Sequence, residues 1–191
     1  MNNDAAAGPR GVRWLLQQVY RALAVVGLIG FVYHAGFHLS VIASGSMGPT
    51  LRGESIKDGD IVLSERFTYK FRNPRRWEVI LYREPEHQLQ VMKRVLGTPG
   101  ETLSFDDKTQ TFFVNDAPVS RPASLGHIKY LAYGGLEKGK KASCGDGFYV
   151  LGDDSKDSSD SRWLGPVKPS QIRARPWIVL WPPSHIRFVN P

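Results

Sequence analysis

The chain has 191 residues, 41% of them apolar and 23% charged, which fits one folded domain with at most a small insertion and excludes global disorder. A net charge of +7 accompanies basic residues that are dispersed except at Lys70 to Arg76 and Lys138 to Lys141; with no nucleic-acid signature beside them, lipid headgroups are the expected contact and nucleic acid is not. A single cysteine, Cys144, excludes an intramolecular disulfide and has no histidine beside it to activate the thiol.

Residues 1–11 are small, polar and punctuated by glycine and proline, and read as an unstructured tail. From Ala22 to Ile42 the chain is apolar except for His34, His38 and Ser40, and at ~1.5 Å per residue a helix of this length reaches roughly 30 Å, the thickness of a hydrocarbon core. Arg10, Arg13 and Arg21 precede it, so the positive-inside rule puts 1–21 in the cytoplasm and everything after Ile42 outside. A cleaved signal peptide and a buried core helix are the competing readings. The first would need a small-residue cleavage site, which Ala43-Ser44-Gly45 faintly offers. His34 and His38, four apart on one helical face, sit where imidazoles reach the far interface; lacking a third ligand, they imply no metal.

Beyond Leu51 the pattern turns to short strands. Gly59-Asp60 is a turn before Ile61-Val62-Leu63, and Val79 to Tyr82 and Gln90 to Leu96 are strand-like, with Thr98-Pro99-Gly100 as punctuation. Thr111 to Val114 followed by Asn115-Asp116 suggests a hairpin; Phe148 to Leu151 and Trp177 to Trp181 read as late core strands. The Gly-, Lys- and Asp-rich stretch from about Glu101 to Asp146 reads as an inserted subdomain.

Three segments carry chemistry. In Ser44-Gly45-Ser46-Met47-Gly48-Pro49-Thr50-Leu51, the glycines flanking Ser46 allow a tight turn that exposes the hydroxyl and frees main-chain N–H groups for an oxyanion; the segment reads equally as a linker. In Gln90 to Leu96, alternation puts Val91, Lys93 and Val95 on one face and Met92, Arg94 and Leu96 on the other. A lysine between two valines loses its proton readily if that face is buried, and a neutral amine can act as a base where arginine cannot; an exposed edge lysine is the alternative. Gly152 to Arg162 is an acidic, serine-rich loop braced by Phe148 to Leu151 and by Trp163-Leu164, able to hydrogen-bond a buried amine or pair with arginines.

In order and content these segments resemble the conserved boxes of type I signal peptidases of the bacterial, serine–lysine type. The resemblance implies a mainly antiparallel β domain with a small inserted β subdomain after one membrane helix, covering 43–191 outside a bacterial cytoplasmic membrane. It implies a serine endopeptidase without cofactor or metal, acting on signal-peptide-bearing preproteins. Ser46 would be the nucleophile and Lys93 the general base; Ser44 and the Ser46 N–H would form the oxyanion hole. Ser158 would orient the Lys93 amine, while Asp160 with Arg162, and Asp153 with Arg94, would hold the site. Ile42, Met47, Leu51, Val62, Val91 and Met92 would surround the substrate pockets. Ala43 and Asp154 depart from the proline and asparagine common in the family. The same chemistry on a dedicated pilin or conjugation substrate, a non-catalytic anchored binding module and a self-cleaving repressor-type protease are the rivals. The last would be expected to carry a DNA-binding region in place of the apolar N-terminus.

Overall fold

A computed structural model describes residues 10–189 apart from His87, which fall into two units divided between Phe37 and His38. The first unit is a single helix, α1 (Arg10–Gly36), whose stretch Gly11–Gly36 is long and apolar enough to cross a membrane. It begins before the expected Ala22, taking in Arg10 and Gly11 from the expected tail; the rest of that tail lies outside the described residues. It also ends before the expected Ile42. The chain passes instead into strand β1 (Phe37–Val41), because Phe37, Leu39 and Val41 alternate with His38 and Ser40, a two-residue period that a helix cannot satisfy. His34 and His38 therefore lie on different elements and share no helix face.

The second unit is mainly β. One seven-stranded sheet has the order β1, β2 (Ile61–Glu65), β10 (Ile172–Trp181), β3 (Val79–Arg83), β4 (Gln90–Gly97) and β9 (Tyr149–Leu151), with β11 (Arg187–Phe188) also paired to β10. The β2/β10, β10/β3, β3/β4 and β4/β9 pairs are all antiparallel. A second, four-stranded sheet orders β7 (Ala117–Val119), β6 (Thr111–Val114), β5 (Thr102–Asp106) and β8 (Ala142–Ser143). The β6–β7 hairpin turns on Asn115 and Asp116, both at positive φ (49° and 67°), the pattern of a two-residue hairpin turn.

Strands β3 and β4 form the spine of the unit. Val79-Ile80-Leu81-Tyr82 is a continuous apolar run because both its faces are covered. Val79, Leu81 and Met92 pack with Ile42, Met47, Leu51 and Val62, whereas Ile80, Tyr82 and Val95 pack with Phe148 and Val150. A third cluster joins Trp77, Leu96 and Leu151 to Phe105, Phe112 and Tyr130, fusing the second sheet to the first. Cys144 lies wholly buried there, its thiol pushed up to about 11 by burial. The expected core strand Trp177 to Trp181 is the end of β10, but only Val179 is fully buried: Trp177, Leu180 and Trp181 are 39–55% exposed, and the pairing of this stretch with β2 is broken by register shifts.

Candidate active site

Chain connectivity puts Ser46 just beyond β1. Ser44 is extended, and Gly45–Met47 makes a single 3₁₀ turn closed by the Gly48 N–H on the Gly45 carbonyl at 2.7 Å. The turn is pinned from beneath by Met47 and Leu51, both buried. Its N-terminal position leaves the Ser46 main-chain N–H without a partner inside the turn. Neither Gly45 nor Gly48 occupies the left-handed region. The glycine that the geometry demands is Gly152, where a Cβ would overlap the Ser158 hydroxyl and press on the Ser46 carbonyl oxygen. The Asp154 N–H donates to that same carbonyl at 3.1 Å, so the acidic loop holds the main chain of Ser46.

Lys93 reaches Ser46 from β4. Its backbone partner is Ile80, and its side-chain face is the one shared with Val91 and Val95. The Nζ donates to Ser46 Oγ at 2.6 Å, with Lys93 only 2% exposed, and Ser44 Oγ lies 3.3 Å from Ser46 Oγ. Burial lowers the Lys93 ammonium to about 8 against the attraction of Asp160, Asp153 and Asp157, which favours the charged form.

Two buried ion pairs frame the dyad. Arg94 forks onto Asp153 at 2.8 and 2.6 Å, and donates as well to the Trp77 carbonyl and the Thr50 hydroxyl. Arg162 forks onto Asp160 at 2.8 and 2.7 Å. All four side chains are fully buried and amply hydrogen-bonded, as buried charge requires. Asp160 also accepts from the Gly152 N–H at 3.0 Å and from the Ser158 hydroxyl at 2.7 Å. The hydrogen bond made by Ser158 thus goes to Asp160, while the amine of Lys93 is spent on Ser46.

An open cleft of about 560 Å³ runs from Ser46 between the end of β1 and the start of β4. Ile42, Met47, Val91 and Met92 line it as expected, but Leu51 and Val62 do not. Both are wholly buried in the core behind Ile42 and Met92, because β2 and the Ser46 loop turn these side chains inward. Ala43, Leu81 and Leu89 also line it, unanticipated from sequence. So were Thr50 and Tyr130, which both donate to the Asp153 carboxylate. The position of Thr50 beside Ser46 was a usable signal; Tyr130 comes from the second sheet's connections and carries none.

The signal peptidase family, peptidase S26, matches residues 13–181. A signal peptidase I V of Bacillus subtilis is 31% identical over 137 residues, covering 66% of this chain and 76% of the relative. A signal peptidase I of Leptolyngbya laminosa is 28% identical over 199 aligned positions, with 98% and 90% covered. A mitochondrial ATP-independent inner membrane protease subunit 1a of Arabidopsis thaliana is 25% identical over 174 residues, with 91% and 90% covered. With a match that takes in both the helix and the β unit, the chain belongs to the signal peptidases of family S26 and is a serine endopeptidase.

Proposed function

We propose that this protein removes signal peptides from exported preproteins at the outer face of a bacterial cytoplasmic membrane, with Ser46 as nucleophile and Lys93 as general base. The observation that carries the reading is the 2.6 Å contact between Lys93 Nζ and Ser46 Oγ, with both side chains buried. In the neutral state the amine accepts the Oγ proton as the oxygen attacks the scissile carbonyl. The new negative charge falls to the Ser46 N–H and the Ser44 hydroxyl, donors already in place and costing little reorganisation. The ammonium returns its proton to the leaving amine, and the same lysine then activates the water that opens the ester. Ser158, whose hydroxyl donates to Asp160, would accept from the ammonium once its bond to Ser46 is lost.

The preprotein would lie extended in the cleft, adding main-chain hydrogen bonds beside Val91, with the residues before the cut over Ile42, Met47 and Met92. Helix α1 would cross the membrane once with its N-terminus in the cytoplasm, as Arg10, Arg13 and Arg21 in its N-terminal half favour. The test is incubation of the purified full chain with a preprotein carrying an Ala-x-Ala site, followed by mass spectrometry. One cut directly after the second alanine is expected, and none with Ser46→Ala; an unchanged product pattern with Ser46→Ala would remove Ser46 from the chemistry.

A further inference from the structure

A second cleft, of about 400 Å³, opens at the end of the sheet away from Ser46 and is lined by His38, Arg66, Arg83, Gln88, Gln90 and Arg173. The strand ends explain the convergence. Arg83 closes β3 opposite Gln90, the first residue of β4; Arg173 stands next to it near the start of β10; Arg66 follows directly on β2, the other neighbour of β10. None of the lining residues is acidic. The nearest acids in sequence face elsewhere: Glu65 accepts from the N–H groups of Phe67 and Thr68, and Glu84 accepts from the Glu86 N–H and lines a different cleft. Among the described residues, no carboxylate pairs with the guanidinium of Arg83 or Arg173. Arg66 lies 3.2 Å from His38 Nδ1.

The guanidiniums of Arg83 and Arg173 open onto this cleft beside that of Arg66, which contacts His38, and planar guanidinium forks suit phosphate oxygens. Place on the chain indicates the source. His38 is two residues beyond Gly36, so at most about 7 Å of extended chain separates the cleft's edge from the end of α1, comparable to the depth of a headgroup layer. Resting on the proposed membrane span, we infer that Arg66, Arg83 and Arg173 hold the phosphate of an anionic lipid headgroup. His38 and Gln90 line both this cleft and the one that leads to Ser46, so a bound headgroup would fix one end of the substrate cleft.

The test is calorimetry on the full chain in neutral detergent with soluble short-chain lipids, which does not require α1 to be inserted; alkaline extraction of the membrane-bound protein reports on the span separately. Dihexanoyl-phosphatidylglycerol should bind the wild type well above dihexanoyl-phosphatidylcholine. R83Q/R173Q should lose about thirtyfold in that affinity, on about fivefold per cation, and R83K/R173K should keep much of the charge-driven part. If the double variant does not fold, R173Q alone is expected to show the single fivefold loss. Inorganic phosphate binding as tightly as the lipid and displacing it would keep the phosphate site but overturn the headgroup as its source; failure to compete at equal concentration supports the headgroup. Equal affinity for the two lipids, or for wild type and variants, overturns the proposal.

Discussion

Lys93 shows how one residue's chemistry is set by its rung in a sheet. Its neighbours on the buried face are valines and its backbone partner is Ile80, so the amine is largely desolvated and the charged form is disfavoured. Two outcomes follow. Lys93→Arg, which cannot release its proton, should abolish turnover as completely as Lys93→Ala, and substantial activity in the arginine variant would exclude the dyad. The rate at limiting substrate, kcat/KM, should rise about tenfold per pH unit below a pKa near 8, where the free enzyme loses the Lys93 proton, and then level off. A limb centred near pH 6.5 would instead point to a histidine base. Ser46 and Lys93 were legible because each stands in a short segment whose spacing is chemically telling. Gly152 was legible only as the start of a loop: what forbids a side chain there is the approach of Ser158 and of the Ser46 carbonyl, a contact between segments far apart in sequence. Gly152→Ala should therefore depress kcat at least a hundredfold while leaving the chain folded, as checked by single-turnover kinetics beside circular dichroism; misplacement of about 1 Å costs that much.

Among the elements, the loop 152–162 reads in sequence as an acidic stretch, yet it contains two buried arginine partners and the donor that holds Ser46 in place. Composition could not reveal this, since four aspartates look solvated until their partners on β4 and within the loop are known. Asp153→Ala would leave the Arg94 guanidinium buried and unpaired, and should cost about 3–5 kcal/mol, read as a fall in the denaturant midpoint. Replacing Arg94 and Asp153 together by apolar residues should cost less than Asp153→Ala alone. The end of α1 illustrates a different gap. Apolar residues continue past Gly36, and only their alternation with His38 and Ser40 from Phe37 to Val41 marks the change from helix to strand. Hydropathy alone therefore extended the span into β1. In the cleft, buried Met92 and its cross-strand partner Leu81 form part of the wall; small residues are expected at the first and third positions before the cut, and leucine or phenylalanine immediately before it should reduce kcat/KM by more than a hundredfold in competition assays.

For the whole molecule, the sequence conveyed a membrane-length helix followed by a β-rich unit with an added sheet, because each is announced by its own period. It could not convey which strands are neighbours: β10, late in the chain, pairs with β2 and β3 and so joins its two halves. If α1 spans with its N-terminus in the cytoplasm, protease added outside sealed right-side-out vesicles should digest the part after Gly36; its full protection would reverse the orientation. One local feature of this architecture also bears on force. Ile42 donates its N–H to the Asp60 carbonyl at 3.0 Å, and both Gly53 and Gly59 pack so close to the Ile42 carbonyl that a side chain at either would overlap it. A preprotein tugged by folding or by export machinery would strain the chain between anchor and catalyst. If α1 spans a membrane, load entering at Phe37 would meet β1 and then this wedge, four residues before Ser46, so tension should extract the helix from the lipid before it distorts the contact between Ser46 and Lys93.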